Sequence, residues 1–387
     1  MNQITFDFGS GRADPDTFPT EALQAAAQRA IERNARALTD YPGALGHEGL
    51  RRAMARRESE REGVDVNPDH LVLTNGSMQA VTLTAQALQD NPGDSVILEE
   101  FSYPGTLAAY RNLRLNMEAI PLSPEGMRLD ALEARLEQLA SENRQARFIY
   151  AISTYQNPTG FVMPGKRRQE LIDIARRFGV PVVEDNCYAD VHYEGPVEPA
   201  LYALDEGPDI LYTCSLSKIL APGLRLGYVY ARPPMLERVT ARRNDAGSNT
   251  LAAAIAAEFY ADGIWDHARR VNPALREKRD RLLETLEAEL ADICVWSRPP
   301  GGLFVWVRLP DDVDRQRLWA LSRENGVGYL PGSAFHTAGA DAPYLRLAFG
   351  HLDLATIETG VRALARCIRE ARRSNERRTF DDLFEPA

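Results

Sequence analysis

The sequence predicts an α/β fold, in which a mostly parallel central sheet has helices on both faces and a smaller α+β domain accompanies it. Between residues 71 and 231, short apolar runs alternate with longer amphipathic segments, as strands and crossover helices do in such sheets. After residue 231 this alternation gives way to long helical stretches with only two short strand signals. A chain of 387 residues is also long enough to form two domains.

The predicted sheet rests on six apolar runs, several of which are apolar throughout, as strands covered on both faces should be. These strand candidates are Leu71–Thr74, Ser95–Glu99, Arg147–Ile152, Pro181–Asp185, Ile210–Cys214 and Leu226–Ala231. The segments between them that are typical of helices are Ser77–Gln89, Asp130–Ala140 and Lys166–Phe178.

The remaining segments complete the large domain and predict a second, smaller one. Helices are expected near residues 19–38, 248–262 and 265–290, and strands at Leu303–Arg308 and Tyr344–Ala348. We expect residues 42–285 to form the large domain, and residues 1–41 and 286–387 to form the small one from both chain ends. The polar tail from about Arg373 is typical of a disordered segment.

Composition restricts the possible partners. The formal net charge of −10 argues against nucleic acid, because phosphate binding needs a basic surface. Arg51, Arg52, Arg56 and Arg57 do cluster, but interleaved glutamates favour a solvated helix face.

The four cysteines are far apart and include no CxxC pair, so neither a disulfide framework nor a zinc site is expected, and no other metal is implied. The first residues do not resemble a signal peptide, and no apolar stretch approaches membrane-spanning length. We therefore expect a cytoplasmic protein with no membrane partner.

A phosphate-binding turn is predicted after the first strand of the sheet. In LTNGSMQ, Asn75 and Gly76 supply a tight turn, and Ser77, Met78 and Gln79 open the following helix. Free amides and the helix dipole favour an anion at such a place. Taken alone, an ordinary helix N-cap at Ser77 explains this motif more simply.

Lys218 is the candidate nucleophile. It follows a buried strand in SLSKILAPGLR, where Ser215, Ser217 and Arg225 could also bind a phosphate. Burial and a neighbouring cation make a lysine nucleophilic by favouring its neutral form. A lone SxSK is more often an ordinary surface loop, so the motif needs support from others.

Two further motifs end neighbouring strands. Asp185 closes PVVED, and a buried carboxylate there needs a cation such as a protonated pyridine nitrogen, while Tyr188 follows three residues later. Asn157, in YQNPTG, is at the apex of a turn that aims its amide into the same crevice. Each motif alone also fits an ordinary turn.

In this order, the motifs resemble the fold type I pyridoxal 5'-phosphate (PLP)-dependent aminotransferases of class I/II. The resemblance is greatest to the branch of 2-aminoadipate and broad-specificity amino acid aminotransferases, which is related to MocR effector domains. It covers nearly the whole chain, from FGSG through YPGALGHEGLR to YLPGSAFH and YLRLAFG. It implies the PLP fold type I architecture and a homodimer with shared active sites.

The resemblance also assigns roles to residues. It implies that Lys218 binds PLP as a Schiff base, that Asp185 pairs with the pyridine nitrogen, and that Tyr188 and Asn157 contact the ring 3-oxygen. Tyr103 would stack on the ring. The implied phosphate ligands are Ser77, Met78 through its amide, Gln79, Ser215, Ser217, Arg225 and, from the neighbouring subunit, Tyr41. The implied substrate contacts are Arg346, which grips the α-carboxylate, together with Asn157 and Gly11.

The activity implied is transfer of an amino group from an L-amino acid to a 2-oxo acid, with 2-oxoglutarate as the expected acceptor and ping-pong kinetics. A PLP-dependent β- or γ-elimination, replacement or cyclisation on the same scaffold stays open, because PLP supports all of these reactions. A PLP-binding sensor domain is less favoured, since MocR regulators carry a basic winged helix before the PLP domain. The sequence does not specify which amino acid is the substrate.

Overall fold

The computed structural model describes residues 4–372, so the polar tail from Arg373 and its expected disorder lie outside the described residues. The helices in this range are α1 Thr20–Asn34, α2 Glu48–Glu62, α3 Ser77–Leu88, α4 Pro104–Asn112, α5 Leu129–Ser141, α6 Gly165–Phe178, α7 Leu201–Leu204, α8 Met235–Thr240, α9 Thr250–Ala261, α10 Asp266–Leu290, α11 Arg315–Glu324 and α12 Leu354–Ala371.

The strands are β1 Phe6–Asp7, β2 Leu71–Thr74, β3 Ser95–Glu99, β4 Asn116–Ile120, β5 Leu122–Ser123, β6 Gly126–Met127, β7 Ala146–Ala151, β8 Val182–Asp185, β9 Ile210–Ser215, β10 Gly227–Tyr230, β11 Val295–Trp296, β12 Phe304–Arg308, β13 Val327–Gly328, β14 Leu330–Pro331 and β15 Tyr344–Ala348. All six strands predicted for the sheet are present, with ends displaced by at most one residue.

The main sheet has seven strands in the order β2-β10-β9-β8-β7-β3-β4. Only β10 is antiparallel to its neighbours, which confirms the predicted α/β fold with a mostly parallel sheet. One face packs on α3, α4 and α8, and the other packs on a larger core that includes α2, α5, α6 and α9. Coverage of both faces explains why β2, β3, β8 and β9 are buried at every position.

The edge strand β4 is missing from the sequence prediction. Its sequence, NMEAI, lacks an apolar run, and its central residue Glu118 is buried against Arg135 and Arg144 rather than against apolar side chains. Because only one face of this strand is covered and its central buried residue is a paired charge, its sequence lacks the hydrophobic periodicity that predicts a strand.

A second sheet, β11-β12-β15-β14, is antiparallel and lies with α10, α11 and α12 in the last third of the chain. The opening segment contacts both parts of the molecule. Strand β1 pairs in parallel with β13, whereas α1 packs along α9, where Arg29 pairs with Glu258 at 3.2 Å. The division into residues 42–285 and the two chain ends stays a prediction.

The expectation of a solvated arginine face on α2 is wrong for two of its four residues. Arg52 and Arg56 are largely exposed, but Arg51 and Arg57 are buried. Arg57 pairs with Glu58 and with Asp190, and Arg51 pairs with Asp69. These buried cations are tolerated because each has a carboxylate partner.

Two chemical features can be stated for residues 4–372. None of the helices there combines the length and the apolar character needed to cross a membrane. No group of three or more His, Cys, Asp or Glu side chains in that range could hold a metal ion.

Candidate active site

The candidate active site lies at the carboxyl edge of the main sheet, where β2, β3, β7, β8 and β9 end. Ligand crevices of open α/β sheets form at this edge because successive loops converge there. Residues following these five strands line one cavity, and most of the residues predicted from the sequence are among them: Ser77, Met78, Tyr103, Asn157, Asp185, Tyr188, Ser215, Ser217, Lys218 and Arg225.

Lys218 is the candidate for the reactive amine. Its Nζ donates a hydrogen bond to the carbonyl oxygen of Gly11 at 2.7 Å and lies 5.9 Å from the centre of the Tyr188 ring. Burial lowers the pKa of Lys218 to about 8, and the nearby cation Arg346 acts in the same direction. An appreciable fraction of this lysine is therefore neutral, and hence nucleophilic, near neutral pH.

The lowered pKa of Lys218 predicts how the cofactor-free protein captures PLP. Only the neutral amine attacks an aldehyde, so the capture rate should rise about tenfold per pH unit below 8 and level off above it. Stopped-flow absorbance across a pH series measures this rate, and the reaction of PLP with a simple alkylamine corrects for titration of the cofactor itself. A rise that continues towards the ordinary lysine pKa of 10.5 would contradict the prediction.

Asp185 places a buried carboxylate at the end of β8, 5% exposed. Burial raises its pKa, while hydrogen bonds from the thiol and backbone amide of Cys187 and from the phenol of Tyr150 oppose that rise. These donors hold the carboxylate, and the charge of the nearby Lys218 also lowers its pKa. Such a group suits a cationic ring nitrogen, which would supply a further countercharge.

An anion cradle lies beside these groups. The N-cap residue of α3 is Gly76, at φ 82° and ψ 170°, and no side chain caps the helix. Ser77 is therefore the first residue of the helix and not its N-cap. Ser215 donates a hydrogen bond to Ser217 at 2.9 Å, and Arg225 reaches the carbonyl oxygen of Asn75 at 3.4 Å. Uncapped amides, hydroxyls and a guanidinium are the kinds of group that bind phosphate.

Gly76 is needed in this cradle for its conformation and for its lack of a side chain. A Cβ atom there would lie 2.5 Å from Arg225 Nη2. We expect Gly76→Ala to displace Arg225 and raise the dissociation constant for PLP about tenfold or more, the loss expected for one charge-assisted hydrogen bond. Gly93→Ala is the matched control, since Gly93 also has a positive φ, of 94°, but open space around it.

Cofactor titration and thermal unfolding of both variants measure this effect. Both should lose stability through backbone strain, by about 1–3 kcal/mol and more at Gly76, because φ 82° with ψ 170° is a conformation essentially restricted to glycine, but only Gly76→Ala should bind PLP more weakly. Equal PLP affinity in the two variants would show that Arg225 does not bind the phosphate.

Arg346, on β15 of the second sheet, lies next to this cavity and contacts its lining residue Asn157. Its guanidinium donates to Asn157 Oδ1 at 3.0 Å and to the carbonyl oxygen of Gly9 at 2.6 Å, between the rings of Phe304 and Phe335 at 4.2 and 5.0 Å. Its Nε is buried without a hydrogen-bond partner among the described residues. Burial lowers the pKa of Arg346 to about 10, which leaves it charged at neutral pH. A buried, charged guanidinium held in this way is suited to bind a carboxylate.

Asn157 links this receptor to the ring site. Its side-chain amide donates to Tyr188 Oη at 3.2 Å while its Oδ1 accepts from Arg346. Burial raises the pKa of Tyr188, so its phenol stays protonated. Tyr103, immediately before α4, lines the same cavity as Asn157 and Tyr188.

Four predicted site residues do not line this cavity: Gln79, Tyr41, Gly11 and Arg346. The side chain of Gln79 accepts from the backbone amide of Asn75 at 2.7 Å and donates to Asp245. Tyr41 is 86% exposed and lies in a different cleft with Asn34 and His47. Gly11 contacts Lys218 through its carbonyl oxygen.

Four residues at the site are absent from the sequence prediction: Cys187, Tyr150, Phe304 and Phe335. Cys187 lines the cavity and hydrogen-bonds to both Asp185 and Ser77. The signal in the sequence that could have indicated Cys187 is its place in EDNCY, between the predicted residues Asp185 and Tyr188. Tyr150 inside β7 and the two phenylalanines around Arg346 gave no such signal, because they look like ordinary core residues.

The fold and the site together define a PLP-dependent enzyme of fold type I. The family model for aminotransferases of class I and II matches residues 4–364, and the chain belongs to that family. It is 33% identical to aromatic-amino-acid aminotransferase 1 of Thermococcus litoralis over 93% of this chain and 87% of the relative.

Two solved structures agree with this assignment. The multiple substrate aminotransferase of Thermococcus profundus superposes with a TM-score of 0.90 at 31% identity, covering 96% of this chain and 92% of the other. The alpha-aminoadipate aminotransferase of Thermus thermophilus, complexed with N-(5'-phosphopyridoxyl)-L-leucine, gives 0.87 at 30% identity, covering 95% and 92%. The protein is therefore a PLP-dependent aminotransferase, as the resemblance of its motifs implied.

Proposed function

We propose that the protein transfers an amino group from an L-amino acid to a 2-oxo acid, with 2-oxoglutarate as acceptor, by a ping-pong mechanism. The supporting observation is that one short segment, residues 9–11, contacts both Lys218 and Arg346. The carbonyl oxygen of Gly9 binds Arg346 at 2.6 Å, and that of Gly11 binds Lys218 at 2.7 Å. An α-amino acid whose carboxylate meets Arg346 therefore brings its Cα close to Lys218.

Each group at the site has a proposed part. Lys218 would hold the cofactor aldehyde, and Asp185 would pair with the ring nitrogen. Bound PLP supplies an electron sink that makes the substrate α-proton acidic. The substrate amine would take the place of Lys218 on the aldehyde carbon, and the freed Lys218 Nζ would move that proton from the substrate Cα to the same carbon as a general acid–base group. Tyr188 and Asn157 would hold the ring 3-oxygen, and Tyr103 would stack on the ring.

The proposed phosphate site combines the start of α3 with the loop around Lys218. Ser77, the amide of Met78, Ser215, Ser217 and Arg225 would share the phosphate. Gln79 would contribute its backbone amide, because its side chain is already engaged with Asn75 and Asp245.

We further propose a homodimer in which Tyr41 from the second copy reaches the phosphate. Large apolar side chains are exposed on the surface formed by α1, α9 and the residues between α1 and α2: Ile31, Leu38, Tyr41 and Leu251. Exposed apolar groups clustered on one face are typical of a protein interface. Sedimentation equilibrium measures the oligomeric state, and a monomer that retains full activity would contradict this proposal.

A single-turnover experiment tests the reaction type. The PLP-loaded enzyme is mixed with an amino acid and no acceptor, using a panel that includes aromatic donors and 2-aminoadipate, after the names of the similar aminotransferases. We expect one equivalent of 2-oxo acid per active site, no free ammonia, and renewed turnover when 2-oxoglutarate is added. With both substrates present, double-reciprocal plots should be parallel.

Other outcomes would contradict the proposal in recognisable ways. Continuous release of ammonia without an acceptor would indicate β- or γ-elimination. Binding of PLP without any product from the whole panel would favour a sensor. Activity only with a different 2-oxo acid would support transamination but would show that 2-oxoglutarate is not the acceptor.

A further inference from the structure

The carboxylate of Asp185 is fixed by a chain of hydroxyl groups that begins outside the cavity. Tyr150 Oη donates to Asp185 Oδ2 at 2.6 Å, and the same oxygen lies 3.0 Å from Thr106 Oγ1. Because the single phenol proton goes to the carboxylate, the Thr106 hydroxyl donates to the phenol oxygen in turn. The chain of donors runs from α4 through β7 to β8.

The position of this phenol is determined by the sheet. Tyr150 is fully buried, and it pairs in register with Val183, two residues before Asp185 on the parallel neighbour. Its ring packs edge-to-face against Tyr110 of α4, with the centroids 5.7 Å apart. Strand pairing and ring packing leave the phenol little freedom, so its hydrogen bond also orients the carboxylate.

The local electrostatics make such a donor necessary. Burial raises the pKa of Asp185, and Glu99, buried at the end of β3, adds a like charge whenever it ionises. The opposing groups are the donors Cys187 and Tyr150 and the cation Lys218. A phenol donor stabilises the ionised carboxylate, which is the form that can pair with a cation.

We propose that Tyr150 is a positioning residue that holds Asp185 ionised and oriented towards the ring nitrogen of the cofactor, with Thr106 orienting the phenol. This inference rests on the proposed role of Asp185. It predicts that protonation of the ring nitrogen depends on a hydroxyl group that does not line the cavity.

Tyr150→Phe tests the proposal because it removes one oxygen atom and keeps the ring. Tyr110→Phe is the matched control, since Tyr110 is an equally buried neighbour whose Oη has no hydrogen-bond partner among the described residues. The readouts are the PLP dissociation constant of the cofactor-free protein and the 15N chemical shift of the cofactor ring nitrogen. For Tyr150→Phe we expect the dissociation constant to rise about ten- to a hundredfold, with the nitrogen shift moving towards the unprotonated value. Tyr110→Phe should match the unaltered protein in both readouts.

Asp185→Asn separates this proposal from the one on which it rests. If Asp185→Asn changes both readouts and Tyr150→Phe changes neither, the role of Tyr150 is wrong and that of Asp185 stands. If Asp185→Asn changes neither, the proposed role of Asp185 is itself wrong. Should Tyr150→Phe fail to fold, Thr106→Val takes its place: it should shift both readouts in the same direction by a smaller amount, and unchanged readouts would overturn the proposal.

Discussion

Lys218→Ala is expected to abolish the absorbance band of the Schiff base between protein and cofactor and to lower the rate of amino-group transfer by at least about 10²–10⁴-fold, the contribution of a positioned acid–base group. The alanine can neither hold the aldehyde nor move the proton at the substrate Cα. The phosphate cradle at α3 does not involve Lys218, so PLP should still bind, although more weakly. Absorbance spectra and single-turnover rates measure both effects.

The controls for this experiment separate nucleophilicity from charge. Lys218→Arg retains the cation but offers no amine that can deprotonate near neutral pH, so it should resemble the alanine variant. Lys166→Ala removes a lysine whose side chain is 89% exposed and should leave colour and rate unchanged. A coloured, active Lys218→Ala protein would refute the assignment of the reactive amine.

The central sheet could be predicted because its strands are covered on both faces and therefore appear as continuous apolar runs. β2 and β3 were predicted with their observed bounds for this reason. The edge strand β4 was not, because a buried Glu118 paired with two arginines breaks the apolar pattern. The buried arginines of α2 show the same difficulty. A charged residue on a helix is predicted to be exposed to solvent unless the distant residue that pairs with it is known.

The candidate site could be predicted where chemistry follows the end of a strand. Lys218, Asp185 and Asn157 each occupy such a place, and parallel strands bring these ends together. Side-chain direction was not predictable in the same way. Gln79 turns to Asp245, 166 residues along the chain, and Tyr150 points a polar tip at Asp185 from inside an apolar strand. Both depend on long-range packing that local sequence does not record.

Arg346→Lys is expected to lower kcat/KM for an amino acid by about thirtyfold or more, within the cost of disrupting a buried, hydrogen-bonded charge pair. The guanidinium can bind a carboxylate with two parallel hydrogen bonds, and the rings of Phe304 and Phe335 hold its plane. A lysine keeps the charge but loses both the fork and the stacking. The loss should therefore appear although the net charge of the site is unchanged.

The choice of substrate makes this prediction specific to the α-carboxylate. Arg346→Lys should hardly change the slow reaction of a primary amine that lacks a carboxylate, and it should leave PLP affinity nearly unchanged, because Arg346 does not line the cavity around Lys218. Arg308→Lys, on the neighbouring strand β12 and with its side chain 47% exposed, is the matched control and should react normally with both substrates. Equal losses for the amino acid and the amine would instead mean that Arg346 acts by positioning Asn157, to which it donates at 3.0 Å. Its effect would then fall on the binding of the cofactor ring rather than on the substrate carboxylate.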